Sequence, residues 1–346
     1  MIKVAFFDAK PYDKEYFDKY NRNVDITYYE EKLSPHTAKM SQGFDAVCVF
    51  VNDNVNKDVI DILCENGVSL IAMRCAGYSN ADVEYACGKI NIVRVPAYSP
   101  YAVAEFAVSL LLTLNRKLYR AYNRTRDFNF SINGLLGTDL HGKTAGIIGT
   151  GKIGKITADI LKGFGMNILA YDLYPDEKSG LEYVSLEELL TKSDVISLHC
   201  PLTKETKYII NEEALMLIKD DAFIINTSRG GLIDTKALIK ALNSGKLAGV
   251  GLDVYEEEAE LFFEDRSGTV IKDDVLSLLV SRPNVLLTSH QAFFTKEALS
   301  AIAKTTLDNI ESFFNSHALN NEVCYNCKTG KIHDNCFRKR GDSVCK

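Results

Sequence analysis

The chain has 346 residues, 46% hydrophobic and 25% charged, with a formal net charge of −6. It is longer than the roughly 250–300 residues at which a single core stops growing, so two domains are expected. The composition is that of a soluble globular protein; the acidic balance disfavours a nucleic-acid partner, and no stretch approaches the roughly 18 apolar residues of a membrane span.

The first residues, "MIKVAFFDAKPYD", read as a strand and a turn. They lack the apolar core and cleavage site of a signal peptide, so a cytoplasmic location is expected. "IKVAFFDA", "FDAVCVFV", "VSLIAMR" and "INIVRVPA" are apolar runs bounded by turn residues and are expected to be buried strands. "SPYAVAEFAVSLLLTLNRKLYRAYNRTR" reads as one long helix, with Ser99 as N-cap and Pro100 at the first helical position. Its apolar residues run almost all round, which predicts burial between domains or between subunits. After Gly142, six strands are expected in "TAGIIG", "NILAYD", "DVISLHC", "AFIINTS", "GVGLDV" and "NVLLTS", separated by helices such as "KIGKITADILKGF" and "TKALIKALNSG". Apolar strands alternating with helices imply a parallel sheet covered on both faces. A last helix is expected from Lys296 to about Ser316.

Gly149, Gly151 and Gly154 form G-x-G-x-x-G, a spacing common by chance. Here it follows a strand, opens a helix and precedes a second strand ending in Asp172, the context of a dinucleotide fingerprint. The first glycine allows the tight turn, the second lets backbone N–H groups approach a pyrophosphate, and the third lets helix and strand pack closely. A carboxylate at Asp172 suits ribose hydroxyls and repels a 2′-phosphate. No arginine follows in "YDLYPDEK", so NAD is favoured over NADP.

Ligands of open parallel sheets bind beyond the carboxyl ends of the strands. His199, Arg229, Asp253, Glu258 and His290 all close or follow predicted strands. Each has a bland reading. Arg229 before Gly230 and Gly231 could be a loop charge, and Glu258 lies in the acidic run "YEEEAELFFED", whose default is a solvated face. Asp253 could be a strand-end turn residue, His290 alone a core histidine, and His199 a rival base or a cofactor contact; sequence does not separate these. Several ionisable residues at one sheet edge make a site likelier than independent structural accidents, and the functional reading of Arg229 there is a planar fork that grips a carboxylate.

"RCAGYSNAD", "VPAYSPYAVAEFA", "KTAGIIGTGKIG", "DVISLHCPLT", "INTSRGGLID", "DVYEEEAELFFED" and "SHQAFFT" together resemble the D-specific 2-hydroxyacid dehydrogenases. Within that family the chain is most similar to the fermentative NAD-dependent D-lactate dehydrogenases, from its first residues to about Val323. The resemblance implies an α/β fold of two Rossmann-like or flavodoxin-like domains with parallel sheets, the NAD domain (100–296) inserted into a discontinuous substrate domain (1–99 plus 297–323). By position it implies a catalytic set of Arg229, Glu258 and His290. It also implies a substrate segment at Cys75, Ala76 and Gly77, with Tyr98 lining the pocket. NAD(H) contacts are implied at Gly149, Gly151, Lys152, Ile153, Gly154, Asp172, His199, Cys200, Pro201, Thr227, Ser228 and Asp253, the last also matching a second acid of the pocket. Assembly into two or four copies, with the long helix as hinge and contact, is implied too. Tyr98, Phe293 and Phe294 suggest a small aromatic-walled space suited to pyruvate. A 2-hydroxyisocaproate-type enzyme and an NAD-sensing corepressor on the same fold are the alternatives.

The nine cysteines divide into two groups. Cys48, Cys64, Cys75, Cys87 and Cys200 sit in apolar segments and read as reduced core residues. Cys324, Cys327, Cys336 and Cys345 crowd into the last two dozen residues, 324–346. There Cys324, Cys327, His333 and Cys336 form either a Cys₃His zinc set or part of a disordered tail. The expected chemistry needs no metal in either case.

Overall fold

The computed structural model describes residues 1–258 and 261–325. The chain divides into two compact units, Met1–Ser99 with the segment from Thr295 onward, and Pro100–Phe294. Cys327, His333, Cys336 and Cys345, and with them the zinc reading, lie outside the described residues. Among the described residues no three His, Cys, Asp or Glu side chains are grouped to hold a metal. No helix among them is long and apolar enough to cross a membrane.

The first unit holds strands β1 (Ile2–Phe6), β2 (Val24–Tyr28), β3 (Ala46–Val49), β4 (Leu70–Met73) and β5 (Asn91–Arg94). They form a parallel sheet in the order β2-β1-β3-β4-β5. "AVCV" and "LIAM" are buried at every position because helices cover both faces of the central strands. Edge strand β2, which the sequence reading passed over, alternates buried or half-buried Val24, Ile26 and Tyr28 with exposed Asp25 and Thr27. The helix Lys296–Ser316 belongs to this unit. Thr295 caps it by accepting from the Ala298 N–H, and Ala303, Leu307, Ile310 and Phe313 pack into the cluster of Val4, Phe6, Phe17 and Leu70.

The second unit holds β6 (Thr144–Ile148), β7 (Asn167–Tyr171), β8 (Glu182–Tyr183), β9 (Val195–Leu198), β10 (Ala222–Asn226), β11 (Leu247–Leu252) and β12 (Val285–Leu287). Their order is β12-β11-β10-β9-β6-β7-β8, all parallel. The chain winds outward from β6 in one direction and from β9 in the other, so β6 and β9 flank the switch point where such sheets bind ligands. The six strands expected here are present, and the two-residue β8 is too short to leave a periodic signal.

The long helix differs from expectation in one way. It is two helices, Pro100–Asn115 and Leu118–Arg126, with Lys117 between them in the left-handed region at φ 50°. The Asn115 side chain pairs with Thr138, donating to its carbonyl at 2.8 Å and accepting from its N–H at 2.9 Å, while Lys117 Nζ donates to the Leu136 carbonyl. These tertiary bonds to the 136–138 loop end the first helix where propensity alone would continue it. Its Ala107, Val108, Leu110, Leu111 and Leu114 pack with Ala145, Ile147, Ala158, Leu161, Phe223 and Ile225 of its own unit. It is apolar nearly all round because a sheet covers one side and the helix Lys152–Gly163 another.

Candidate active site

At the end of β6 the backbone turns sharply at Gly149, φ 94°, where a Cβ would overlap the backbone of His199 and Cys200 beyond β9. The next helix begins at Lys152 with Gly151 as its N-cap. Gly154 is buried inside it, so close to the end of β6 that a Cβ would overlap the Gly149 carbonyl oxygen and meet Ile147 Cγ2 at 3.3 Å. Gly151 is the opposite case: it is exposed, and a Cβ there meets nothing within 4 Å. Two glycines are therefore required by packing, and the third faces open space at a helix N-terminus whose free N–H groups and dipole favour an anion. Lys152 is exposed and Ile153 half-buried beside it.

Asp172 follows β7. Its Oδ2 accepts from the Thr150 N–H at 2.6 Å and the Thr150 hydroxyl at 3.1 Å, and its Oδ1 from the Tyr174 N–H at 2.9 Å. Thr150, which the sequence reading left out, thus ties the glycine loop to the acid, and its hydroxyl also meets Tyr183 O–H at 2.8 Å. The glycine opposite empty space and a carboxylate fixed one strand away fit a dinucleotide's pyrophosphate and ribose.

Beyond β9 and β10 lies a second set of expected contacts. His199 Nε2 lies 2.8 Å from Ser197 Oγ, and burial holds its imidazole down to a pKa of about 4, so it is neutral at physiological pH. Ser228 Oγ donates to the Cys200 carbonyl at 2.7 Å, joining the two loops. Pro201 is exposed, and its carbonyl accepts from Thr206 at 2.6 Å. Thr227 Oγ1 is buried with no hydrogen-bond partner among the described residues.

Arg229 leaves β10 on a loop folded over Asn226, whose side chain donates to the Arg229 carbonyl at 2.8 Å and accepts from the Ser228 N–H at 3.0 Å. Its guanidinium is half-buried and donates to the Ser228 carbonyl at 2.6 Å. Gly230 lies flat against the acidic loop, where a Cβ would overlap the Tyr255–Glu256 backbone, so the two loops pack backbone to backbone. Glu256 is held by hydrogen bonds from Tyr208 O–H and, at 3.2 Å, Thr235 Oγ1. Glu258 turns inward instead: its Oε2 accepts from the Tyr255 N–H at 2.9 Å, leaving Oε1 for the histidine.

His290 Nδ1 lies 2.8 Å from Glu258 Oε1, with the two side chains about one-fifth exposed. This is the pair that the family resemblance implies, with Nε2 left as the ring's other nitrogen. His290 itself sits at φ 54°, an uncommon conformation for a non-glycine residue. Asp253 explains how it is held. Its carboxylate is fully buried and accepts from Thr288 Oγ1 at 2.6 Å, the Gln291 N–H at 2.9 Å and the Ala292 N–H at 2.8 Å, and its carbonyl takes the His290 N–H at 2.8 Å. Burial raises its pKa, the three hydrogen bonds and the nearby imidazole opposing the rise. With no exposed atom, Asp253 does not present a second acid to a pocket; it pins the 288–292 loop. Phe263 stacks obliquely on the histidine ring at 6.0 Å and meets Phe293 at 6.5 Å. Phe293 is buried and Phe294 half exposed.

The first unit carries the remaining expected residues. Cys75, Ala76 and Gly77 follow β4, with Cys75 buried and the other two half-buried, and Tyr98 is half-buried beyond β5.

Residues 108–292 match the family model for the D-isomer specific 2-hydroxyacid dehydrogenase NAD binding domain. The chain is 53% identical to 2-hydroxyacid dehydrogenase homolog 1 of Schizosaccharomyces pombe, over 90% of this chain and 96% of the relative. It is 48% identical to the D-lactate dehydrogenase of Escherichia coli, over 93% of this chain and 100% of that one. Among solved structures it is similar to the pyruvate reductase of Chlamydomonas reinhardtii, with TM-score 0.87 and 41% identity over 93% of this chain and 98% of that one.

Proposed function

The chain belongs to the D-isomer specific 2-hydroxyacid dehydrogenases, and on that premise we propose that this NAD-dependent oxidoreductase interconverts pyruvate and D-lactate. The observation that carries the reading is the 2.8 Å pair of His290 Nδ1 and Glu258 Oε1. A carboxylate on one ring nitrogen orients the imidazole, leaving Nε2 to give a proton to the substrate oxygen during reduction and to take it back during oxidation. Gly149, Gly151 and Gly154 at the helix N-terminus hold the pyrophosphate and Asp172 the ribose; the bound cofactor supplies the hydride. Asp253 and Glu256 are positioning residues for the two loops that carry His290 and Glu258. Arg229 anchors the substrate carboxylate and places positive charge where the carbonyl oxygen becomes negative.

In the first unit, the backbone of Cys75–Gly77 holds the substrate carboxylate and Tyr98 is an aromatic pocket residue. We assign that unit as the substrate domain and Pro100–Phe294 as the NAD domain. Phe128, Phe130, Ile132 and Leu136 are 72–86% exposed on the second unit, and this apolar surface supports assembly of at least two copies. Free thiols at Cys48, Cys64, Cys75, Cys87, Cys200 and Cys324 suit a reducing, cytoplasmic setting.

The experiment is a substrate panel read by loss of NADH absorbance, with chiral analysis of the product. Pyruvate should give the highest kcat/KM and D-lactate as product. A preference for 2-oxoisocaproate would move the assignment to a branched-chain 2-hydroxy acid, and NADH binding with no turnover on any 2-oxo acid would refute the enzymatic reading in favour of a cofactor-sensing protein.

A further inference from the structure

Three successive peptide carbonyls in the loop after β4 are taken up by the protein's own donors. The Cys75 carbonyl accepts from the Val95 N–H at 3.1 Å, the Ala76 carbonyl from Arg94 Nη1 at 2.7 Å, and the Gly77 carbonyl from the Cys75 thiol at 3.2 Å. No peptide bond among the described residues is cis. In a trans peptide the N–H points opposite to the carbonyl, so the Ala76, Gly77 and Tyr78 N–H groups all face away from these three donors. Neither the Ala76 nor the Gly77 N–H has an acceptor among the described residues. N–H groups without an acceptor on two consecutive peptides are donors available to an anion.

The middle anchor is the charged one. Arg94 ends β5, and its backbone is fixed from both sides: its N–H donates to the Asn321 carbonyl at 3.1 Å, and its carbonyl accepts from Asn309 Nδ2 at 2.9 Å. Asn309 is buried and is itself held by Asn321 Nδ2 at 2.8 Å. The guanidinium lies over the Tyr78 ring at 5.1 Å, so both ends of the Ala76–Tyr78 segment bear on it. The near end of the loop is equally fixed. Arg74 is buried with its guanidinium 4.5 Å and 4.8 Å from the centres of the Phe6 and Phe50 rings, 3.4 Å from Asp13 and donating to the Asp8 carbonyl at 2.7 Å.

We infer that Arg94 is a positioning residue for carboxylate recognition. It turns the Ala76 carbonyl inward, so that the Gly77 N–H is presented outward, and its charge polarises that peptide, strengthening the N–H as a donor. The ligand is the carboxylate of a small 2-oxo or 2-hydroxy acid. This rests on the proposed role of the Cys75–Gly77 loop and adds what sets the loop's conformation. Arg94 touches neither substrate nor reacting atoms; it acts through the Ala76–Gly77 peptide.

The test uses the full chain with NADH bound and two variants, R94M and R94K. Methionine keeps an unbranched stem against Tyr78 but has no donor for the Ala76 carbonyl; lysine keeps a charged donor. For R94M the pyruvate KM should rise about tenfold, equivalent to ~1.4 kcal/mol, with kcat within about twofold and NADH affinity unchanged. Affinity for oxamate, a carboxylate probe measured by calorimetry without turnover, should fall by the same factor. R94K should recover much of both losses, because charge and donor return. Unchanged oxamate affinity in R94M, or an R94K variant as impaired as R94M, would overturn the role of Arg94. Failure of the wild-type chain to bind oxamate would instead overturn the carboxylate role of the loop and this inference with it, whereas wild-type binding without pyruvate turnover would count against the assigned reaction alone.

Discussion

Two glycines three positions apart, Gly151 and Gly154, should respond to substitution in opposite ways. At Gly154 a Cβ would lie 3.1 Å from the Gly149 carbonyl carbon and closer to its oxygen, inside the distance real Cβ atoms keep, and the obstacle is backbone that cannot rotate aside. Gly154→Ala must push the helix Lys152–Gly163 off β6. Overpacking of this kind costs about 1–3 kcal/mol, which for a unit of this size lowers Tm by roughly 2–12 °C. Gly151 has φ −65° and ψ −169°, extended backbone open to any residue, and a Cβ there meets nothing within 4 Å. Gly151→Val should therefore cost no more than the loss of a favourable N-cap, about 1 kcal/mol or less. Its side chain instead fills the space assigned to the pyrophosphate. NADH affinity should fall roughly a hundredfold, ~2.7 kcal/mol, while Tm moves little. The assays are thermal unfolding by circular dichroism and NADH titration by fluorescence. A Gly151→Val protein that binds NADH as the parent does would refute the cradle, and a Gly154→Ala protein with unchanged Tm would refute the close packing beneath it.

Arg229→Lys keeps the charge and loses the planar fork, so pyruvate KM should rise roughly 10–100-fold, the worth of about 1.5–3 kcal/mol for a hydrogen bond to a charged group. An unchanged KM would remove Arg229 from the carboxylate. His199 carries a pH prediction. Burial lowers its folded pKa to about 4 from 6.5, so the folded state resists protonation. The stability this protects is complete above pH 6.5 and is lost as pH falls toward 4. Over that interval of about 2.5 units the loss approaches ~3 kcal/mol at ~1.4 kcal/mol per unit. In His199→Gln that loss disappears. Asp53, pushed up to about 6 chiefly by burial, contributes an opposite slope in the same window, but equally to both proteins. The difference between their urea midpoints from pH 7 to pH 4.5 isolates the histidine, and parallel curves would contradict its burial as a neutral base.

How far the fold and site could be read from residues alone depended on whether the signal was local. The strands of the second unit are near-continuous apolar runs because both faces are covered, and those runs survive in any window. Strand β2 carries Asp25 and Thr27 on its open face and vanished into the polar background. The break at Lys117 is dictated by Asn115 and Lys117 reaching residues 136–138, and no helix propensity encodes that. At the site, the glycine spacing and the single histidine after β12 were visible, and with the family likeness they located Glu258. What stayed hidden were partnerships across loops. Asp253 reads as one more acid at a strand end, and only its three hydrogen bonds to residues 288–292 reveal a buried anchor. Arg94 lies in "INIVRVPA", legible only as a strand, and carries no sequence signal of its own, since its partner is a backbone carbonyl 18 positions away.

The central claim is that the imidazole held by Glu258 transfers the proton. Its most direct test is single-turnover reduction of pyruvate by pre-bound NADH in the wild-type chain and in His290→Gln. Glutamine fills similar space and cannot act as the acid, so NADH affinity should be unchanged and the single-turnover rate should fall by about 10²–10⁴-fold. A His290→Gln protein that oxidises NADH with pyruvate at the wild-type rate would contradict the account.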